Sequence, residues 1–198
     1  MSVLPSFRHA PHVVAALLAL SLLGAGCGGH GHANQAYRVG SAKRDITPSP
    51  ATAPPDGRVY LGGYGFGPER LSTGVLTPIH VRALVIANGD DVVAFAEAET
   101  QGAFAAYRNG PFGHLDVAAA VEAGSGGRIR RDHVVVGSDH SHSGPDTTGI
   151  WGGLPDSYLE YLRTQTVGAI LDALAAARPA RLRTGVIDAG DLLRSQFH

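Results

Sequence analysis

The sequence lacks most of the features that identify disulfide-bonded, nucleic-acid-binding or membrane-spanning proteins. Its 198 residues include a single cysteine, so no disulfide can form within the chain. Lysine and arginine number 16 against 17 aspartates and glutamates, and without a basic excess we expect no binding to nucleic acid. The longest apolar run, residues 13–23, is shorter than the roughly 20 residues that a spanning helix needs. No internal repeat is visible. The length is that of one domain, or at most two small ones.

Glycine, proline and histidine are plentiful instead. The 27 glycines and 12 prolines make up about a fifth of the chain and predict many turns and ordered loops. Hydrophobic residues at 44% are still enough for a packed core. The ten histidines are the most unusual feature, and the functional interpretation starts from them.

The first 36 residues are predicted to direct export rather than to fold. Residues 1–27 resemble a signal peptide, with Arg8 before the apolar run and small residues after it. Cys27 stands where a bacterial lipoprotein carries its lipid, although an ordinary cleaved signal with an incidental cysteine is the alternative. Residues 28–36 are predicted to be a flexible linker, in which His30 and His32 are solvated rather than metal-bound. We therefore expect an exported protein, either secreted or anchored through Cys27 on the outer side of the cytoplasmic membrane.

From residue 37 the pattern is that of an α/β domain. The Asn88-Gly89 pair predicts a hairpin between two strands rich in β-branched residues. An alanine-rich stretch predicts a helix broken near Pro111, and the apolar residues after Pro155 recur at helical spacing. We predict strands at residues 37–44, 79–87, 91–99, 133–137 and 181–187, and helices within 103–123 and at 157–177. This order predicts a largely parallel or mixed sheet with flanking helices.

Two polar loops follow neighbouring strands of that sheet, at residues 97–101 and 138–146. Because reactive groups collect at the carboxyl ends of strands in such folds, we expect these loops to lie side by side. His140 and His142 are two residues apart, so their rings project to the same side in extended backbone. Imidazoles suit Zn²⁺, and the neighbouring polar groups could fix their tautomers. The alternative is that both are exposed or structural histidines.

Five further residues near these loops are candidates for a role in the site. Glu99 could accept a hydrogen bond from a metal-binding histidine, or be a solvated acid at a strand end. Asp139 and Asp146 could orient the imidazoles or cap turns. Tyr64 and Trp151, each among glycines, could line a substrate pocket or anchor their loops.

The stretch HVVVGSDHSHSGPD from His133 to Asp146 is similar to the GTHTHSGPGG signature of the neutral, non-lysosomal ceramidase family. Residues 39–48, 61–64 and 79–99 resemble further segments of that family in the same order. The resemblance covers about residues 37–198. Two positions depart from it: Asp146-Thr147 replace the double glycine of the signature, and Glu99 replaces an aspartate.

The resemblance implies a zinc-dependent hydrolase that cleaves the amide of ceramide into sphingosine and a fatty acid. His140 maps to a zinc ligand and His142 to a catalytic residue beside the substrate. Zinc in such a site would polarise the amide carbonyl. The other ligands of the family, a histidine, a glutamate and a tyrosine, lie downstream of the motif, so residues 37–198 are expected to be the N-terminal part of a larger catalytic domain, inactive alone.

Two alternatives remain open at this stage. One is an exported, lipid-anchored metal-binding protein that uses His30, His32, His140 and His142 without catalysis. The other is a related hydrolase of the same fold that acts on a different amide or ester. In both alternatives, the loop at residues 138–146 with its two histidines is the functional centre.

Overall fold

The computed structural model describes residues 37–63 and 69–190. The predicted signal segment with Cys27, the linker with His30 and His32, and Tyr64 lie outside the described residues. Five strands and two helices make up the described part, with one short 3-10 turn at Arg131–His133. The strands are β1 (Tyr37–Asp45), β2 (His80–Asn88), β3 (Asp91–Ala98), β4 (Val134–Ser138) and β5 (Arg178–Ala180), and the helices are α1 (His114–Gly124) and α2 (Asp156–Ala175).

The described strands form one mixed sheet in the order β4-β3-β2-β1-β5. Parallel pairing is confined to β3 and β4, and the other neighbours are antiparallel. The prediction of an α/β fold with flanking helices is therefore confirmed. Of the two sheet types predicted, the described strands form a mixed sheet and not a largely parallel one, since β3 and β4 alone pair in parallel, at one edge. Asn88 pairs with Asp91, so the hairpin turn is Gly89-Asp90, with Gly89 at φ 60°.

The core lies between the sheet and the two helices. Alternate residues of β2 and β3 are buried, among them Val81, Val85 and Val92, and they pack with Val121 of α1 and Ile170 of α2. Burying each side chain of this size contributes about 1.5–3 kcal/mol. Helix and sheet come close together at the glycine in β1, where a Cβ on Gly40 would lie 1.9 Å from the Ala173 carbonyl oxygen.

Two predicted elements differ from the structure: one helix is shorter than predicted, and one predicted strand does not form. Only the second half of residues 103–123 is helical, because α1 begins after Gly113, whose N–H donates to Asp116 Oδ2 (3.0 Å). Residues 181–187 form no strand. Ala180 pairs antiparallel with Tyr37, the first residue of β1, so the described part of β1 offers no partner to the residues that follow.

The strand after His133 is correctly predicted as parallel, but it is an edge strand with partly exposed residues rather than a buried one. Its position places the carboxyl ends of β3 and β4 side by side, with Ala98 opposite Ser138. Within the part of the chain that the structure describes, neither helix is long and apolar enough to cross a bilayer.

Candidate active site

The loops that follow β3 and β4 lie against each other, as the sequence predicts. The hydroxyls of Thr100 and Ser138 are 3.0 Å apart, and Asp139 N donates to the Ala98 carbonyl oxygen (3.3 Å). Because β3 and β4 are parallel, the polar residues after each strand emerge at the same edge.

The loop after β4 places its side chains alternately on two sides. The rings of His140 and His142 have centroids 5.0 Å apart at an interplanar angle of 74°, and both residues are exposed. The two rings lie close together as expected, but the extended backbone assumed in that prediction is wrong, because His140 is left-handed at φ 63°. Asp139, Ser141 and Ser143 instead line a cavity of about 620 Å³, a volume within the range of small-molecule sites.

His140 is held in one orientation by the loop after β3. Its Nδ1 lies 2.6 Å from the Gln101 carbonyl oxygen. Because a carbonyl only accepts, Nδ1 carries the proton, and in the neutral ring Nε2 keeps its lone pair. His140 also has a left-handed backbone, at φ 63°, which side-chain-bearing residues seldom adopt outside strained or functional positions. The ring is thus prepared to bind through Nε2.

The ring of His142 packs against the backbone at Gly63. A Cβ at that position would lie 2.3 Å from His142 Cδ2, and Gly63 has φ +88°. Only glycine satisfies both constraints without moving the ring.

The two imidazoles meet part of the requirement for a zinc site. Nε2 of His140 is a suitable ligand, because the hydrogen bond of Nδ1 fixes the ring as in known zinc sites. Among residues 37–63 and 69–190, however, no group of three or more His, Cys, Asp or Glu side chains is close enough to hold a metal ion. A catalytic zinc normally has three protein ligands. The described residues therefore supply at most part of such a site.

Glu99 is held by β2. Its carboxylate accepts hydrogen bonds from the His80 backbone N–H (2.6 Å) and from Arg82 Nη1, and His80 Nδ1 lies 3.7 Å away. Burial raises the pKa of Glu99, but these bonds outweigh it and keep the pKa below its ordinary value. Glu99 also lines the cavity with Asp139. Its predicted role as an acceptor for a histidine stays a prediction.

Asp146 is completely buried and organises the loop that follows it. Its Oδ1 accepts from the hydroxyl and N–H of Thr148 (2.9 and 3.2 Å) and from Gly149 N (3.0 Å). Its Oδ2 accepts from the N–H groups of Trp151 (2.7 Å) and Gly153 (3.0 Å). Asp146 was predicted either to orient the imidazoles or to cap a turn. Its direct hydrogen bonds match the capping role.

Asp139 and Trp151 are placed at the two ends of this region. Asp139 is exposed, and its Oδ1 accepts from Ser141 N (3.0 Å), so it caps its own turn. Trp151 is half-buried in the loop that Asp146 holds. The neighbouring Gly152 packs on Tyr60, since a Cβ there would lie 2.4 Å from the tyrosine ring. Pocket lining by Trp151 stays a prediction.

Three residues that the sequence did not single out connect the site. Gln101 is 5% exposed, and its carbonyl orients His140. Thr148 contacts both Asp146 and the Gln101 side chain. Thr147 is buried, and its carbonyl accepts from the hydroxyl of Tyr107 (2.6 Å), whose pKa is raised by burial. The only signal in the sequence was the polar character of the loop containing Gln101.

No protein-family model and no curated protein sequence matches the chain. Solved structures that resemble it in three dimensions include a neutral ceramidase from Pseudomonas aeruginosa, with a TM-score of 0.57, and a ceramidase complexed with C2, with a TM-score of 0.56. Each is 21% identical to the chain over 74% of its length. The chain spans only 22% of either structure. The resemblance in the motifs is thus confirmed as a shared fold with part of a ceramidase.

Proposed function

We propose that this chain contributes His140 and His142 to the zinc site of a ceramidase-like amide hydrolase. The observation that carries the proposal is the fixed ring of His140, whose Nδ1 donates to the Gln101 carbonyl while Nε2 keeps a lone pair beside a second imidazole. The shared fold with part of a ceramidase supports the class of reaction.

The two histidines have different parts in this proposal. His140 holds the metal through Nε2, and zinc, when bound, supplies a Lewis acid for the amide carbonyl oxygen. His142 stands next to that centre. It would take a proton from the attacking water as the C–O bond forms and give it to the amine nitrogen as the amide C–N bond breaks. Trp151 and Tyr64 would contact the substrate, a ceramide-like lipid amide.

The 198-residue chain alone is expected to be inactive as a hydrolase. Two imidazoles do not hold a catalytic zinc firmly, and the described residues bring no third ligand near them. The proposal includes export, with attachment to the membrane surface through a lipid on Cys27, which would place the site near lipid substrates.

Metal binding is the direct test. The purified chain is titrated with Zn²⁺ alone, and we expect His140→Ala to lose about tenfold or more in affinity. His133→Ala is the matched control, because its Nδ1 also donates to a backbone carbonyl, that of Val92 (3.0 Å), outside the site. Full zinc affinity in His140→Ala would show that the ligand assignment is wrong.

Reading the gene beyond codon 198 separates the hydrolase from a non-catalytic metal-binding protein. The hydrolase requires further His, Glu and Tyr ligands downstream, and the longest product should release fatty acid from N-acylsphingosine in a His140-dependent reaction. A product that binds zinc through His140 and cleaves another amide or ester instead would identify a related hydrolase of the same fold.

A further inference from the structure

A series of polar contacts runs from the buried Asp146 carboxylate to the ring of His140. Thr148 Oγ1 lies 2.9 Å from Asp146 Oδ1 and 3.2 Å from one terminal atom of the Gln101 side-chain amide. The other terminal atom of that amide lies 3.5 Å from His140 Nδ1. Asp146 and Gln101 are both buried, so bulk water competes little with these contacts.

The number of protons in this series decides how the Gln101 amide is oriented. The Thr148 hydroxyl has one proton, and the Asp146 oxygen beside it can only accept. The structure has Gln101 Oε1 facing Thr148 and Nε2 facing His140. An oxygen facing Thr148 would compete with Asp146 for the single hydroxyl proton, and rotating the amide by 180° removes this competition. We therefore assign the donor Nε2 to the atom that faces Thr148. The atom that faces His140 is then the carbonyl Oε1, next to a ring nitrogen that carries a proton.

The opposite orientation would favour the wrong histidine tautomer. It would point an N–H of Gln101 at His140 Nδ1, and such a donor stabilises the ring form in which Nδ1 is unprotonated and Nε2 carries the proton. A protonated Nε2 cannot bind a metal. The partner that prevents this rotation is Thr148, which is itself held by Asp146.

We propose that Asp146 and Thr148 are positioning residues for His140: by fixing the Gln101 amide, they keep the His140 proton on Nδ1 and leave Nε2 unprotonated. The inference rests on the proposed function, in which Nε2 is the atom that binds the metal. It concerns this chain in particular, because the signature that the loop resembles has glycine where Asp146 stands.

The test reads the tautomer directly and needs neither metal nor activity. The full chain is labelled with ¹⁵N, and the imidazole nitrogens are recorded by NMR in mildly alkaline buffer, with His140→Gln identifying the signals. We expect the Nδ1-protonated form in the wild type. Thr148→Val removes the hydroxyl at constant shape and should lower the ratio of the two tautomers about three- to tenfold. Thr148→Ser keeps the hydroxyl and should behave as the wild type.

The single tryptophan of the chain gives a second readout, for Asp146. Trp151 N donates to Asp146 Oδ2, so Asp146→Asn should shift both the Trp151 emission and the His140 tautomer ratio. Thr148→Val should shift only the tautomer. If Asp146→Asn does not fold, the tautomer ratios of Thr148→Val and Thr148→Ser are sufficient to test the inference.

Two results would overturn the inference: a wild-type His140 with its proton on Nε2, or a tautomer ratio in Thr148→Val within about twofold of the wild type. The second result can occur in a chain that binds zinc through His140 Nε2, because the Gln101 carbonyl can hold the tautomer without Thr148. Conversely, a failed zinc titration leaves the tautomer measurement intact, so the two proposals fail separately.

Discussion

The loop after β4 has an exposed half and a buried half, and they are built differently. Residues 139–143 carry the two imidazoles, and the side chains of Asp139 and Ser141 accept hydrogen bonds within their own turns, from Ser141 N (3.0 Å) and Ser143 N (3.3 Å). His140 is an exception, since its Nδ1 donates to the Gln101 carbonyl oxygen in the loop after β3. Residues 144–147 are buried and bond to other segments: Asp146 N donates to the Tyr60 carbonyl oxygen (2.8 Å), and the Thr147 hydroxyl donates to the Gly102 carbonyl oxygen. Reactive groups thus stay accessible while adjacent buried residues fix their geometry.

The largest expected effect comes from exchanging the aspartates of the two halves for alanine. Asp146→Ala leaves the N–H groups of Trp151 and Gly153 without the buried acceptor that they face, and should lower the free energy of unfolding by about 3–5 kcal/mol. Asp139→Ala removes one exposed cap and should cost less than about 1 kcal/mol. Urea denaturation followed by circular dichroism measures both. Equal losses would mean that water replaces the Asp146 carboxylate as the hydrogen-bond acceptor. The exposed and buried halves of the loop would then contribute to stability in the same way.

A smaller effect distinguishes the contact between Gly63 and the His142 ring from the backbone strain of a positive φ alone. Gly63 and Gly149 both have positive φ, at +88° and +72°, but only a Cβ on Gly63 would meet the His142 ring. Each Gly→Ala change should cost about 1–2 kcal/mol from the backbone. Gly63→Ala should also displace the ring and weaken zinc binding by about tenfold.

Gly149→Ala is the matched control, since no atom of the described residues lies within 4 Å of its Cβ position. Zinc titration of the two variants checks the difference. If Gly149→Ala weakens binding as much as Gly63→Ala, the loop responds to strain as a whole and the contact at Gly63 has no special role.

The exposed half was predictable from sequence and the buried half was not. Alternation in β2 and β3, the hairpin signal Asn88-Gly89 and the histidine pair after an apolar run are local patterns. They correctly predicted two strands, a hairpin whose turn is Gly89-Asp90, and two imidazoles close together after β4. The partners of Asp146 are main-chain N–H groups of a loop in which Gly149, Gly152 and Gly153 have positive φ. Composition does not show which carboxylate such a loop will surround.

Contacts between distant segments were missed for the same reason. The Gln101 carbonyl meets His140 because β3 and β4 are neighbours, and the residue type of Gln101 is irrelevant to that bond. The end of β5 is likewise set by where β1 starts, although the sequence of residues 181–187 is compatible with a strand. Tertiary context decided both.

The smallest expected effect concerns the packing beneath the buried half. His114 N donates to the Phe104 carbonyl oxygen (3.1 Å), the Phe104 ring lies 5.6 Å from Tyr107, and the Tyr107 hydroxyl bonds to Thr147. Burial lowers the pKa of His114 below its ordinary value of about 6.5. Between those two pKa values the unfolded chain binds more protons than the folded chain, so stability from this group is full above the ordinary pKa and falls as the pH decreases.

His114→Gln should therefore flatten the decline in the free energy of unfolding as the pH falls below about 6.5. Urea denaturation at a series of pH values measures the slope, with His133→Gln as the control because that residue lies outside this packing. An unchanged slope in His114→Gln would mean that water reaches the His114 ring in the folded chain. The buried region around Thr147 would then end at Tyr107 and would not extend to the start of α1.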